Sequence, residues 1–169
     1  MKDNIAIIGF MGSGKTTIGR LLAHRLGHVF IDLDRVMELS EGRTINEIFE
    51  QKGEGYFRDI ESEIIRKIVK NKNCIFACGG GVVVKRENMI NMARSCHVIY
   101  LRISPSEARD RLAGSKERPL LPEKKRQDAI ERIFKKRSGL YCRYADITVD
   151  NEGIQPGETV EAIIRKMDL

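Results

Sequence analysis

Between Gly9 and Thr16 the chain reads Gly-Phe-Met-Gly-Ser-Gly-Lys-Thr, which fits the spacing G-x-x-x-x-G-K-[ST] and restricts what can stand on either side of it. In that pattern backbone N–H groups wrap phosphate oxygens, the lysine reaches the terminal phosphates and the hydroxyl holds Mg²⁺. The geometry works only between a strand and a helix. Ile5-Ala6-Ile7-Ile8 precedes it, a short apolar run rich in β-branched residues that predicts a buried parallel strand. After it, Ile18, Leu21, Leu22 and Leu26 fall at i, i+3, i+4 and i+8, so the loop opens a helix with one apolar stripe. The start of that helix adds partial positive charge where phosphates would sit, and the small residues Gly12, Ser13 and Gly14 let the backbone approach closely. A nucleoside triphosphate is the expected ligand.

The rest of the composition is compatible with that reading. The 169 residues make one domain with a substantial core, and 41% hydrophobic with 32% charged residues is a soluble balance. Apolar runs are only a few residues long, so no membrane span is expected. Met1-Lys2-Asp3-Asn4 leads directly into the first strand, so no leader is expected either. Cys74, Cys78, Cys96 and Cys142 are scattered without CxxC pairs or histidines at ligand spacing, which predicts reduced thiols and a cytoplasmic protein. The net charge is +6, but Lys and Arg are mixed with Glu and Asp and lack aromatic interleaving. An anionic small substrate accounts for the excess, and nucleic acid is not an expected partner.

Val29-Phe30-Ile31-Asp32-Leu33-Asp34 predicts a brief strand ending in two carboxylates. Ligands of open parallel sheets collect at the carboxyl ends of strands, so Asp32 and Asp34 should face the same crevice as the phosphate loop. Their shared parity in an extended segment points both the same way. A helix-capping role for such acids is the structural alternative. A loop binding Mg·ATP needs a carboxylate near the metal and a group that orients the acceptor hydroxyl. Residues 36 to 52 predict two short helices broken at Ser40-Glu41-Gly42-Arg43, with Thr44 and Glu47 forming a capping box. Beyond Gly53 and Gly55, Phe57, Ile60, Ile64 and Ile68 form the buried stripe of a further helix. Arg58 lies at the edge of that stripe, where a cation opposes the helix dipole and Glu61 at i+3 can pair with it. A surface salt bridge would satisfy the same spacing.

Asn73-Cys74-Ile75-Phe76-Ala77-Cys78 predicts the third strand, and Gly79-Gly80-Gly81 after it removes every side chain from one wall of the crevice. A helix near 86 to 94 and a strand over His97-Val98-Ile99-Tyr100-Leu101 follow. Ser104, Pro105 and Glu107 then mark a helix start. From Gly114 to Lys125 apolar periodicity stops and charges surround Arg118-Pro119-Leu120-Leu121, as expected of a cover that excludes water during phosphoryl transfer. Arg111 flanks it and Arg118 lies inside it; either can meet the triphosphate, Arg118 more directly. Ile130, Ile133, Phe134 and Arg137 fall at i, i+3, i+4 and i+7, so Arg137 continues an apolar stripe. A buried guanidinium needs an anion. Two sources stay open for it, an internal acid or an anionic ligand. Asp146-Ile147-Thr148-Val149 predicts a fifth strand, and Val160, Ile163, Ile164 and Met167 stripe the final helix. The alternation of strands and helices predicts an α/β fold, a three-layer sandwich around a parallel sheet.

These residues together resemble the shikimate kinases, in the nucleoside monophosphate kinase-like branch of P-loop folds. The resemblance rests on Gly9 to Thr17, Asp32-Leu33-Asp34, Phe57-Arg58, Gly79-Gly80-Gly81, Arg118-Pro119-Leu120-Leu121 and Arg137 four residues before Tyr141. It implies one domain over 1–169, with a five-stranded parallel sheet in order 2-3-1-4-5, a substrate-binding excursion at 34–61 and a lid at 112–124. The implied reaction is ATP-dependent, Mg²⁺-assisted phosphorylation of the 3-hydroxyl of shikimate, a step of aromatic amino acid synthesis. By resemblance, Lys15 bridges the transferred phosphate, Thr16 is a direct Mg²⁺ ligand, Asp32 holds the metal through water and Asp34 orients the attacking hydroxyl. Gly12, Ser13, Gly14 and Thr17 complete the nucleotide loop. Arg58 and Arg137 clamp the shikimate carboxylate, Gly80 and Gly81 offer backbone contacts, and Phe49 and Phe57 form the apolar wall. Arg118 is the lid arginine that neutralises phosphate charge, and Arg111 the one that stacks on adenine. A monomer is expected.

Two positions depart from the pattern. Ala77-Cys78 stands where many members place Thr or Ser before the glycines, and the adenine-side loop from Asn151 to Pro156 lacks an arginine, leaving Gln155 as its nucleotide contact. Related kinases fit less well. Gluconate kinases carry His and Pro soon after the paired Asp, where this chain has Arg35-Val36-Met37, and nucleoside monophosphate kinases carry Pro-Gly where it has Met11-Gly12. A P-loop ATPase that transfers phosphate only to water would need neither inward arginines nor a glycine wall.

Overall fold

Five short runs of β-branched and aromatic residues pair into one parallel sheet in a computed structural model that describes residues 2–113 and 126–168. They are β1 (Asn4–Ile8), β2 (Val29–Asp32), β3 (Cys74–Ala77), β4 (Cys96–Arg102) and β5 (Ile147–Asp150), and the sheet order is β2-β3-β1-β4-β5, as expected. Central β1 pairs with both β3 (Ile5 opposite Ile75) and β4 (Ile7 opposite Ile99). The crossover from β3 to β4 therefore passes over β1, and the switch in winding leaves a crevice at the carboxyl ends of these strands.

Alternation along β1 divides the core. Ile5 and Ile7 join Ile18 and Leu22 of α1 (Lys15–Leu26) and Val160 and Ile163 of α7 (Pro156–Met167) on one face. Ala6 and Ile8 join Met89 and Met92 of α4 (Arg86–Ser95) and Ile130, Ile133 and Tyr141 of α6 (Arg126–Tyr144) on the other. The result is three layers. Leu21, expected on the stripe of α1, is instead 43% exposed. It lies at the margin where the stripe turns away from the sheet.

The strand expected to continue to Asp34 ends at Asp32, and α2 (Leu33–Glu41) starts at once. Asp32 is its N-cap, accepting from the N–H groups of Asp34 and Arg35. Asp34 is thus aimed by the first helical turn and not by strand parity. Gly42 ends α2 in the left-handed conformation, and α3 (Ile45–Ile68) begins with the expected Thr44–Glu47 capping box. Gly53 kinks α3 at φ +80°, which turns its first half over the crevice, where Met37, Ile48, Phe57 and Ile64 form a small separate core. Helix α5 (Pro105–Leu112) starts at Ser104 as the sequence signals. The cover expected over 112–124 lies outside the described residues apart from Leu112 and Ala113, and Arg118 with it. Among the described residues no helix is long and apolar enough to cross a membrane.

Leu22 is fully buried between α1 and the sheet, so its truncation leaves a hole under the helix that follows the phosphate loop. Leu22→Ala should cost about 2–5 kcal/mol of unfolding free energy, measurable by urea titration.

Candidate active site

The loop after β1 is held chiefly by its own carbonyls. Ser13 N–H donates to Phe10 O at 3.1 Å, and the Lys15 ammonium donates to Gly9 O at 3.0 Å and Phe10 O at 2.8 Å. From outside the loop, Arg111 of α5 donates to Gly12 O at 3.3 Å, and the buried Asn151 amide after β5 donates to Ser13 O at 2.8 Å. Gly14 takes φ +88° as the N-cap of α1, a conformation closed to ordinary side chains. The N–H groups at the start of α1 have no intrahelical partner, which makes this end an anion site. Beside it the Thr16 hydroxyl donates to Asp32 Oδ2 at 2.9 Å, while Asp32 Oδ1 caps α2. Asp32 thus takes the capping role with one oxygen, while the other meets the Thr16 hydroxyl beside the phosphate loop. Gly12, Gly14, Lys15, Thr16, Thr17, Asp32, Asp34, Cys78 and Arg111 are among the residues lining this cavity.

A second cavity is lined by Asp34, Phe49, Phe57, Arg58, Glu61, the three glycines and Arg137, with Ile45 and Met11. Phe49 and Phe57 pack with ring centroids 4.6 Å apart and form its apolar side. Arg58 is no surface pair. It is 6% exposed, donating to Glu61 Oε2 at 2.9 Å and to Glu54 at 3.2 Å. Glu61 is 1% exposed, and its other oxygen has no hydrogen-bond donor among the described residues. Burial raises the Glu61 carboxyl above its usual range against the opposing pull of Arg58.

Of the two partners left open for Arg137, the described residues do not supply the internal acid at ion-pair distance. The guanidinium is 7% exposed, and among the described residues no carboxylate lies within ion-pair distance. Its Nη1 donates to Gly80 O at 3.2 Å, and the Tyr141 hydroxyl one turn later donates to the same oxygen. Burial lowers the Arg137 pKa below the ordinary guanidinium value, and the nearby Arg58 charge adds to that. Burial pushes the Tyr141 hydroxyl up, so it remains a donor. A Cβ on Gly81 would fall 2.0 Å from Arg58 Nη2, so the third glycine is required for Arg58 to lie against this wall.

Met11, Asp34 and Gly80 line both cavities, so the two are neighbours across a shared wall. The structure brings together the loop residues, Asp32, Asp34, Phe49, Phe57, Arg58, Gly80, Gly81 and Arg137. Gln155 caps α7 beyond both linings, donating its N–H to Glu158 at 3.1 Å. Arg111 is engaged with Glu107, Gly12 O and Asn151 O, so its head group braces two loops. Asn151 and the donor role of Tyr141 had no local signal, since each acts on a backbone oxygen far away in sequence. Glu54 lies at i−4 from Arg58, a helical spacing the kink at Gly53 obscured.

Comparison with known proteins identifies the pattern. Residues 11–168 match the family model described as Shikimate kinase. A protein of that name from Thermodesulfovibrio yellowstonii is 42% identical over 165 residues, spanning 98% of this chain and 95% of its own. Another from Persephonella marina is 42% identical over 164 residues, spanning 97% and 98%. A solved shikimate kinase from Acinetobacter baumannii, in complex with shikimate, superposes with a TM-score of 0.95 at 32% identity, covering 98% of this chain and 92% of its own.

A buried guanidinium with no carboxylate at ion-pair distance among the described residues is costly to folding, and stripping a buried pair of one partner is costlier still. Arg137→Met should therefore leave unfolding free energy unchanged or raise it by about 1–2 kcal/mol. Glu61→Ala, which strips Arg58 of its buried partner, should lower it by about 3 kcal/mol. Urea titration of both variants checks the pair, and a strongly destabilised Arg137→Met would make Arg137 a structural residue.

Proposed function

The chain belongs to the shikimate kinase family and phosphorylates shikimate with ATP, and we propose how its residues share that work. ATP lies with its phosphates on Gly12, Ser13, Gly14, Lys15, Thr16 and Thr17. Shikimate lies in the adjoining cavity with its carboxylate between Arg58 and Arg137, its ring against Phe49 and Phe57, and backbone contacts from Gly80 and Gly81. The observation that carries this assignment is the shared wall: Asp34 lines both the cavity holding Lys15 and the cavity holding the two arginines.

The uncompensated charge of Arg137 supports the carboxylate placement, because a substrate anion supplies the partner that the described residues lack. Asp34 accepts a hydrogen bond from the 3-hydroxyl and orients it toward the γ-phosphorus. The hydroxyl oxygen forms a bond to phosphorus as the bond to the β,γ-bridging oxygen breaks, and the hydroxyl proton leaves to the Asp34 carboxylate. ADP and shikimate 3-phosphate result. Lys15 neutralises charge on the transferred group, and Arg118 of the proposed lid at 112–124 supplies a second cation.

The donor set fits Mg²⁺. The Thr16 hydroxyl and an Asp32 carboxylate oxygen lie 2.9 Å apart, and no cluster of three or more His, Cys, Asp or Glu residues forms among the described residues. Mg²⁺ keeps waters and needs only one or two protein oxygens beside substrate phosphates. Thr16 would hold it directly and Asp32 through water; when bound it draws charge off the β- and γ-phosphate oxygens. The four free cysteines support a reducing compartment, and the cytoplasm is the proposed location. A monomer is proposed, testable by sedimentation.

ATP turnover should depend strongly on shikimate, and equal turnover with and without it would remove the kinase assignment. Arg58→Ala and Arg137→Ala should each raise the KM for shikimate about 100-fold while ATP binding survives, because each deletes a charge-assisted contact. Separate calorimetric titrations of the two ligands read this. Lys15→Ala should lower kcat about a thousandfold in a folded protein, as stopped-time assays of ADP release would show.

A further inference from the structure

Asn151 stands immediately after β5, 4% exposed, with its side chain between α7 and the phosphate loop. Its amide nitrogen donates to Ser13 O at 2.8 Å, and its amide oxygen accepts from the Thr159 hydroxyl at 2.6 Å. The orientation of the amide follows from its partners. Ser13 O can only accept, so Nδ2 must face it, and Oδ1 is left for a donor. Thr159 is fully buried in the second turn of α7 and can supply that donor; its other acceptor, Gln155 O, is farther away at 3.4 Å. Asn151 is also held by its backbone, with its N–H on Arg102 O at 2.9 Å and its carbonyl accepting from Arg111 at 2.6 Å.

A trans peptide fixes the consequence. Ser13 O and Gly14 N–H belong to one planar unit and point in opposite directions. A donor that holds Ser13 O from the β5–α7 side therefore turns Gly14 N–H away from that side. Gly14 lines the phosphate cavity, and its N–H is an orphan donor at the start of α1. We propose that Asn151, locked by Thr159, is a positioning residue for phosphoryl transfer that pre-aims Gly14 N–H at a phosphate oxygen of the nucleotide. Arg111 adds to the brace by holding Gly12 O, the carbonyl one peptide earlier. A loop with no such anchor would have to order this peptide when the nucleotide arrives, at the expense of affinity.

The proposal rests on the nucleotide site described above, and the test separates the two. Thr159→Val replaces a hydroxyl by a methyl at nearly constant volume and releases the amide. Thr159→Ser keeps the hydroxyl. Asn151→Asp keeps the acceptor for Thr159 but puts a carboxylate oxygen against Ser13 O. Calorimetric titration with ADP, AMP and shikimate should show Thr159→Val weakening ADP about fivefold, the loss of roughly one neutral hydrogen bond. Asn151→Asp should weaken ADP by more than about tenfold. AMP and shikimate affinities should not move, the KM for ATP should rise in parallel, and Thr159→Ser should restore ADP binding. Wild-type ADP affinity in Thr159→Val, with only a lower Tm, would make the pair structural and overturn the proposal. Failure of the wild-type protein to bind ADP would instead overturn the nucleotide site. Should Asn151→Asp not fold, the Thr159 pair decides alone.

Discussion

The guanidinium of Arg137 is buried with no carboxylate at ion-pair distance among the described residues, and the acceptor half of the site is arranged around that uncompensated charge. Such a group is costly to fold, because among the described residues its desolvation is offset by a hydrogen bond to Gly80 O, by Tyr141 and by the Glu54 charge beyond ion-pair distance. Arg58, on the facing helix, differs in having Glu61 and Glu54 to hold its fork. The two cations are thus unequally compensated: Arg58 lies against two carboxylates, while Arg137 has none at ion-pair distance among the described residues. In the proposed placement a carboxylate ligand would supply that partner.

Local backbone geometry sets where Asp34 meets this cavity. The short β2 ends at Asp32, and the abrupt entry into α2 gives Asp32 three partners, the N–H groups of Asp34 and Arg35 and the hydroxyl of Thr16. That cap ties the first turn of α2 to the first turn of α1. Asp34 is carried on the capped turn, so its carboxylate is fixed relative to the phosphate loop by two short hydrogen bonds and not by a long loop. The kink at Gly53 does the same for the other side, folding Phe49 and Phe57 of one helix over the cavity that Arg58 closes.

Much of this could be read from the chain where cause and effect are close in sequence. The phosphate loop, the Thr44–Glu47 capping box and the Ser104 helix start are spacings within eight residues, and each appears as expected. The burial of Arg137 was also visible, since a charged residue on an apolar stripe must be inside. Its missing acid partner was not, because absence of a contact is a tertiary fact. Asp34 shows the opposite failure: strand parity predicted the right neighbourhood through the wrong element. The brace from Asn151 to Ser13 spans 138 positions, and no local pattern announces a side chain that acts on a distant carbonyl. Arg118 and most of the expected lid lie outside the described residues.

Both halves of the site use one physical device. A catalytic wall made of backbone needs its peptide planes fixed, and a plane can be fixed by gripping its carbonyl from behind. At the phosphate loop the grips are Arg111 on Gly12 O and Asn151 on Ser13 O. At the glycine wall they are Arg137 and Tyr141, both on Gly80 O. The two halves differ in one respect that bears on function. Asn151 is buried behind the loop, so its grip is independent of the ligand, whereas Arg137 both holds Gly80 O and lines the acceptor cavity. In the proposed placement a carboxylate engaged by Arg137 would share that guanidinium with Gly80 O, an atom of the wall that lines both cavities.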